Sequence, residues 1–498
     1  MTADVVIAGG GPNGLMLACE LALAGVRPIV LERLPERSQA PKANGIIGQV
    51  VRLLDQRGLY QRFLGVTEPP RPIPMFLFGA LPLDLAGVEG NTMYGMGIKQ
   101  ARLEELFEER ARELGVEIRR GRELTAFTQD EEGVTLELDG GDRLRTRYLV
   151  GCDGAHSTVR KQAGIGFPGT NSASITSRAA HVVLPTATIR MDRAELDLPG
   201  VGTVSLYAWH RTERGAYGLL PLSPEVLTIS CVEWDGDDPG EDVEMTLGEL
   251  RESLARVLGA DIPLAAPPGP GPHLLRRLTG RNTRVADRFR AGRVLLAGDA
   301  AHVHSAVGAP GLNLGLQDAA NLGWKLAATV RGTAPPGLLD SYERERHLAA
   351  DRVTTHSKAQ LALMSPGPEV TALREVFGEL LKDESARSRI SALMSGADVA
   401  YPTAAPAHPL TGHFVPDLEL EPVSLATLMR TGRPLLLDLD GGLQEPLRAD
   451  TWGDRIDVVT AKCLAPPADA LLIRPDGYVA WAGTPDESLD EAVRTWFG

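Results

Sequence analysis

Val5-Val6-Ile7-Ala8-Gly9-Gly10-Gly11-Pro12-Asn13-Gly14 is the stretch whose reading decides the fold. Four apolar residues lead into the glycines, and Leu15-Met16-Leu17-Ala18-Cys19-Glu20-Leu21 follows. The pattern reads strand, tight glycine turn, helix. Gly9, Gly11 and Gly14 fall on the dinucleotide fingerprint spacing. The first glycine allows the turn, the second lets backbone approach a pyrophosphate, and the third lets helix and strand pack closely. Pro12 and Asn13 complete the candidate phosphate turn at the helix N-terminus, where exposed amides favour an anion. A second apolar run, Pro28-Ile29-Val30-Leu31, ends in Glu32. That acid lies about 20 residues past the glycines, where a carboxylate can bind a ribose hydroxyl pair. A glycine turn without a nucleotide is the bland alternative. The second strand and its terminal acid weigh against it.

Two further motifs each follow a buried-strand candidate. Arg147-Tyr148-Leu149-Val150 leads into Gly151-Cys152-Asp153-Gly154-Ala155-His156-Ser157-Thr158-Val159-Arg160. Arg293-Val294-Leu295-Leu296-Ala297 leads into Gly298-Asp299-Ala300-Ala301-His302, then Gly308-Ala309-Pro310-Gly311-Leu312-Asn313 and Asp318-Ala319-Ala320-Asn321. Each places an acid and small residues at a strand's carboxyl end, where open α/β sheets bind ligands. Either alone could be a capped loop. His302 and His304 are candidate acid–base groups, but loop histidines are more often structural.

The composition narrows the function classes. The chain has 498 residues, enough for several domains. Its net charge is −14 and its pI about 5.3. Such an acidic balance argues against nucleic acid as a partner. No basic block suggests a membrane surface, and no uncharged run reaches spanning length. Cys19, Cys152, Cys231 and Cys463 are far apart, with no metal-ligand or CxxC spacing. They read as free thiols of a reducing compartment, so the cytoplasm is the default location. Asp4 and Glu20 interrupt any signal-peptide pattern. No metal cluster or Ser-His-Asp triad stands out.

The patterning suggests an α/β protein with a divided first domain. Residues 1–68 read as the first part of a Rossmann-like domain, including a helix over Val50 to Leu64. Residues 69–98, with a Pro-rich segment and a strand-like run, Met75 to Leu83, read as strands of a substrate domain. Residues 99–172 continue the first domain with an amphipathic helix from Arg102 and several strands. From 173 to 285 alternating and β-branched runs dominate, among them Gly202 to His210, with one helix at Thr246 to Leu258. This reads as an inserted, mostly-β substrate domain. His181, Trp209, His210 and Tyr217 sit on its strands, and strand packing is the simplest role for each. Residues 286–398 return to the first domain with a helix over about Leu316 to Val330 and further helices. Pro402, Pro406 and Pro409 mark a linker to a small α/β domain at 410–498, where Pro475-Asp476-Gly477 signals a turn.

These motifs, in this order, resemble those of the single-component FAD-dependent aromatic hydroxylases, the p-hydroxybenzoate hydroxylase-like flavoprotein monooxygenases. The similarity is to their actinobacterial branch of polyketide hydroxylases and rifampicin monooxygenase. It covers nearly the whole chain and includes Leu339-Asp340-Ser341-Tyr342-Glu343-Arg344-Glu345-Arg346-His347. The resemblance implies FAD as cofactor, NADPH or NADH as reductant, and a thioredoxin-like C-terminal domain. With only Cys463 in that domain, dithiol chemistry is excluded. It implies hydroxylation of a polycyclic phenolic substrate by O2 through a C4a-hydroperoxyflavin. Baeyer–Villiger oxygenation, a flavin reductase or dehydrogenase that does not activate oxygen, and a non-catalytic carrier remain alternatives. A homodimer is compatible with the same resemblance.

Residue by residue, the resemblance puts Glu32 on the adenosine ribose and Arg33 near the adenine. Gln100 would contact the flavin, and the backbone at Leu124 would border the adenine. Asp299 would bind the ribityl or pyrophosphate region. Gly311, Leu312 and Asn313 would lie by the isoalloxazine. Asp153 and Arg160 belong to a motif linked to both FAD and reduced nicotinamide. Two departures stand out. Lys42 replaces an arginine, keeping charge but losing the planar fork. The run Ala306-Val307-Gly308-Ala309-Pro310-Gly311 replaces a Pro-x-Gly-Gly-Gln-Gly pattern.

Overall fold

Val5, Val6 and Ile7 have no exposed surface, so the first strand is covered on both faces, as a parallel strand under two helical layers must be. The computed structural model describes residues 2–235, 243–305, 307–308, 310–403, 408–441 and 455–498. Thr2–Ala8 pairs in parallel with Pro28–Glu32 on one side and Arg143–Gly151 on the other. Arg143–Gly151 pairs in parallel with Val294–Leu296. The register sets Leu31, Ala8, Gly151 and Leu296 in one row across these strands. Glu117–Arg120 and Arg290–Ala291 close the edges, and the hairpin Leu124–Gln129 with Val134–Leu138 joins through Arg143–Gly151.

Helix Pro12–Leu23 starts on a proline, whose missing amide is no loss in the first turn. It lies against the long helix Pro310–Arg331. Contact is close: a Cβ on Gly323 would stand 2.4 Å from Glu20 Cβ. The helix expected from about Leu316 therefore begins six residues earlier, at Pro310. Tertiary packing of its small residues overrides their weak propensity. The helix expected over Val50 to Leu64 is two, Gln49–Gln56 and Leu59–Leu64. Gly58, at φ +66, ends the first in the left-handed region. The Met75 to Leu83 run is a hairpin, Met75–Phe78 against Leu81–Asp84, turning through Gly79 and Ala80 at positive φ.

The second sheet is antiparallel. Its order is Ala208–Arg211, Ala216–Pro221, Leu227–Trp234, Gly169–Val182, Leu275–Val285 and His302–Val303. Helix Leu247–Leu258 covers one face, packing Leu250, Leu254 and Val257 with Ala180, Val182, Ile229 and Cys231. The Gly202 to His210 run is not one strand. Tyr207, at φ +58, breaks it, sending Gly202–Ser205 into a separate three-stranded sheet. His302–Val303 pairs with Arg284 and Val285, so the loop after Gly298 is hydrogen-bonded to this sheet.

In the C-terminal part, Leu435–Asp438 pairs in parallel with Asp457–Thr460 and antiparallel with Ala470–Ile473. Val479–Gly483 and helix Glu487–Phe497 complete a thioredoxin-like arrangement. Pro475-Asp476-Gly477 does turn the last hairpin. This part is not an appendage: Tyr401, Phe414, Val415, Leu435 and Tyr478 share one core with the first domain. Buried ions join the two as well. Arg57 pairs with Glu20 through two bonds of 2.8 Å and donates to the carbonyls of Met429 and Pro475.

Candidate functional site

Because Leu31, Ala8, Gly151 and Leu296 stand in register, the residues that follow them meet at one sheet edge. Those residues are Glu32, the Gly9 turn, Asp153 and the Gly298-Asp299 pair. A ligand on an open α/β sheet lies outside the carboxyl ends of its strands.

The glycines are there for different reasons. Gly9, at φ +109, lies against the Cys152 carbonyl: a Cβ would be 2.3 Å from that oxygen. A Cβ on Gly14 would be 2.1 Å from the Gly9 carbonyl. Asn13 fills the gap between the third motif and the long helix. Its Nδ2 would stand 2.1 Å from a Cβ on Gly298 and 2.3 Å from one on Gly315. Gly11 differs, because a Cβ there meets nothing within 4 Å. Its small size leaves a cradle for something outside the chain.

Glu32 aims back at this turn. Its Oε2 accepts from the Gly10 amide at 2.7 Å, and Oε1 from the Leu34 amide at 2.9 Å. Arg33 is exposed beside it. Asp299 is exposed although protein crowds around it, as at the floor of a cleft. Burial pushes its carboxyl upward, while His302 and Lys42 pull the other way. Lys42 is thus close enough to act on both Asp299 and Glu104. Gln100 opens helix Gln100–Glu113, gives its amide to the Ala43 carbonyl at 2.9 Å, and donates from Nε2 to Glu104 at 2.8 Å. Leu124 is buried in the main core at the start of its strand.

Asp153 accepts from Ser157 Oγ at 2.5 Å and from the Val159 amide at 3.1 Å, bracing the turn into helix Thr158–Gln162. Arg160 is buried, and burial pushes its pKa down. Its guanidinium lies 3.8 Å from the Phe167 ring centroid and donates to the carbonyls of Ala155 and Ala300. The second motif is thereby tied to the third. Gly311 and Leu312 are half-buried in the first turn of the long helix. Asn313 is buried, and its Oδ1 accepts from the Ile47 amide at 3.0 Å. Ala306 and Ala309 lie outside the described residues.

His302 is enclosed by protein. It is buried, with Nε2 2.6 Å from Asp318 Oδ2. Asp318 also accepts from the Gly298 amide at 3.0 Å and from Arg346 Nε at 2.7 Å. Burial alone would raise the Asp318 carboxyl, but His302 and Arg346 hold it below its usual range. Arg346 reaches on to Tyr401 Oη at 2.8 Å. His304 uses Nδ1 on the Ser305 carbonyl at 3.0 Å, and burial pushes it down to about 4, so it is neutral at pH 7. The Asp318–Arg346 pair locks the Gly298 loop, a contact that neither residue's own motif announces. Their separation of 28 positions hides it, and Asp318, the single acid of the largely apolar helix Pro310–Arg331, is the available signal. Tyr342 and Glu343 of the same late motif bond the Leu296 carbonyl and the Phe289 and Arg290 amides.

The residues present fit FAD. Gly11 leaves open space at the turn, Glu32 sets a carboxylate beside that turn at the end of the second strand, and Asp299 is an exposed acid on the same sheet edge. Fold and site together define a flavin-dependent oxidoreductase with an antiparallel sheet facing the cofactor edge. A family model described as an FAD binding domain matches residues 2–357, and one described as the C-terminal part of an aromatic-ring hydroxylase matches residues 408–498. The chain belongs to this family of FAD-dependent aromatic-ring monooxygenases. It is 42% identical to 12-dehydrotetracycline 5-monooxygenase/anhydrotetracycline 6-monooxygenase of Streptomyces rimosus, with 100% of this chain and 99% of that one covered. It is 39% identical to rifampicin monooxygenase of Streptomyces venezuelae, covering 99% and 98%. Among solved structures, a Diels-Alderase of pyrroindomycin biosynthesis matches with a TM-score of 0.85 and 37% identity, covering 99% of each chain. Among the described residues no helix is long and apolar enough to cross a membrane, and no group of three or more metal-ligating side chains occurs.

Proposed function

We propose that this enzyme hydroxylates a polycyclic aromatic substrate of the polyketide type, consuming NAD(P)H and O2. The observation that carries the reading is the register that gathers three motif loops at one sheet edge, with the third loop paired directly to the antiparallel sheet. The tetracycline-type and rifampicin monooxygenases named above support the substrate class. Bound FAD, once reduced by the nicotinamide, supplies the activation of dioxygen.

The chain's own residues do the rest. Gly9, Gly11, Pro12, Asn13 and Gly14 shape the phosphate turn, and Glu32 takes the ribose, with Arg33 outside it. Lys42, Gln100, Leu124 and Asp299 line the remaining length of the cofactor. Asp153 does not need to touch it to matter, since it holds the loop that Arg160 fastens to Ala300. Gly311 and Leu312 present first-turn amides of the long helix, and Asn313 fixes that turn to Ile47. Val307, Met364, Trp209 and Trp234 form an apolar cluster beside the loop, which excludes water from the reacting region. The cytoplasm suits the four unpaired cysteines.

One observation favours a second reading. A Diels-Alderase shares this whole scaffold at 37% identity, so a ring-forming reaction without net oxidation is also compatible with it. The deciding experiment supplies a panel of aromatic polyketides with NADPH and labelled O2, followed by mass spectrometry and NMR of the product. Incorporation of one labelled atom as a ring hydroxyl is expected. Incorporation into an expanded ring would identify Baeyer–Villiger chemistry. An isomerised product with neither NADPH oxidation nor label would establish the second reading.

A further inference from the structure

Two adjacent arginines of the antiparallel sheet, Arg276 and Arg277, meet different surroundings on its two faces. On the face under helix Leu247–Leu258, Arg178 pairs with Glu233 at 2.8 Å and Glu249 at 2.7 Å, and Arg277 pairs with Glu249 at 2.6 Å. Arg276, the next residue, points to the opposite face. There it stands in a cross-strand row with Ala179, Ser230, Gly218 and Trp209. Trp209 packs against the apolar cluster that holds Val307, so this is the face turned toward the loop after Gly298. Between Trp209 and Arg276 the row offers only small side chains. The indole already lies over Gly218, whose Cβ would be 3.0 Å from it. Four strand spacings of about 4.8 Å put Arg276 roughly 19 Å from Trp209, at the outer end of this floor.

Among the described residues, the Arg276 side chain has no hydrogen-bond or ion-pair partner. Its neighbour on the same face, Leu278, is 45% exposed. Across from Arg276, Ala179 is two residues from His181, which shares this face. The Leu274 amide donates to His181 Nδ1 at 3.1 Å, leaving the proton of the neutral ring on Nε2. Burial, then His273, then Lys99 hold His181 below its ordinary pKa. Lys99 is thus within electrostatic reach of His181, although it belongs to the first domain and directly precedes Gln100. The Lys99 side chain also lacks a partner among the described residues. Strand register sets Arg276 beside the neutral imidazole of His181, the charge of Lys99 reaches the same ring, and no carboxylate is paired to either cation among the described residues. In a chain of net charge −14, such a place selects for an anion.

We propose that Arg276, Lys99 and His181 form an anion-recognising subsite at the outer end of the cleft. It takes an ionised oxygen on a flat ligand, and Leu278 and the small-residue floor take the ring. The shared chemistry has two sources: the acidic enol, phenol or carboxyl of the aromatic substrate, or the phosphates of the reduced nicotinamide. The substrate source rests on the proposed function. An acidic group held at this end would fix which ring of a polycycle lies over the reactive edge of the cofactor.

The test uses the oxidised holoenzyme and two probes that share one ring system. 2-Hydroxy-1,4-naphthoquinone is an ionised enol at neutral pH, and 2-methoxy-1,4-naphthoquinone is its neutral ether. Binding is read from the flavin absorbance, and the concentration of NADPH that half-saturates anaerobic flavin reduction is measured separately. Wild type should prefer the enolate. Arg276→Ala should weaken the enolate about tenfold and the ether less than twofold, and Arg276→Lys should recover most of the loss. Unchanged NADPH dependence assigns the subsite to the substrate. A tenfold rise in half-saturating NADPH, with naphthoquinone binding unaltered, assigns it to the nicotinamide. Equal binding of the two probes, or no binding of either, together with unchanged NADPH dependence, overturns the proposal. Lys99→Ala gives the same comparison from the other domain should Arg276→Ala fail to fold. None of these readouts involves oxygen transfer, so a failure of the monooxygenase reading appears only in the labelled-oxygen experiment.

Discussion

Gly11 and Gly14 sit three residues apart and carry opposite expectations. A methyl group on Gly14 would be driven into the Gly9 carbonyl at 2.1 Å, and backbone cannot yield there. Gly14→Ala should therefore lower the melting temperature of the apoprotein. Gly11→Ala adds a methyl group to open space and should leave that temperature within about a degree, while flavin retention falls sharply. Loss of apoprotein stability in both variants, or full flavin content in Gly11→Ala, would show that the opening at Gly11 is not the phosphate cradle. Glu32 makes a separate case. Its carboxylate is already oriented by the Gly10 and Leu34 amides, so it meets a ribose without reorganising. A charge-assisted hydrogen bond contributes about 1.5–3 kcal/mol, so Glu32→Ala should weaken FAD binding by about ten- to a hundredfold. Titration of the apo-variant with FAD measures this directly, and unchanged affinity would remove Glu32 from the ribose.

At the scale of elements, the loop after Gly298 depends on helices far away in sequence. Asp318 on the long helix gathers the Gly298 amide, His302 and Arg346. Asp318→Asn would leave Arg346 buried without its anion. Breaking one partner of a buried pair costs about 3–5 kcal/mol. The expected result is a large fall in melting temperature with early flavin release, seen as flavin fluorescence rising ahead of tryptophan unfolding. Simultaneous transitions would mean that the Gly298 loop is not the weak point. This pair also marks the limit of what the sequence made legible. Strands, glycine turns and the acids at strand ends are local patterns, and Gly9, Glu32, Asp153 and Asp299 do converge at one edge. The role of Asp153 was less visible, because its bonds to Ser157 and Val159 are loop bracing and look the same in sequence as a ligand contact. Asn313 is similar, since its side chain is spent on Ile47 across 266 positions. The break at Tyr207 was hidden because a positive φ on tyrosine has no sequence signature, whereas Gly58 did carry one.

For the whole molecule, the thioredoxin-like part changes from appendage to buttress. Composition alone makes 410–498 look removable, since no flavin motif falls there. The structure sets Arg474 in the centre of a buried junction, 2.7 and 2.8 Å from Glu345 and within 2.5 Å of Asp476. Glu345 also accepts from Lys325 at 2.7 Å and from Asn321 at 2.7 Å. Deleting everything after residue 407 would bare the shared core and leave Lys325, Glu345, Glu20 and Arg57 without part of their shell. The truncated chain should be insoluble or free of flavin. A soluble, yellow truncate would show that the first domain is self-sufficient. The junction also predicts a pH dependence. Burial alone would raise the Glu345 carboxyl, but Arg474 and Lys325 outweigh it and hold the pKa down at about 2, against an ordinary 4.5. A carboxyl depressed on folding contributes stability that is complete above its unfolded pKa and is lost as pH falls toward the folded one. Glu345→Gln should therefore melt well below wild type at pH 7, where Arg474 keeps only Asp476 and Lys325 loses its carboxylate partner. The gap should narrow from about pH 4.5 downward, as wild type loses the contribution that the variant never had. Thermal melts of both proteins at pH 7, 5, 4 and 3 follow the difference, and a gap that stays constant across that series would separate the junction from the acid stability of the enzyme.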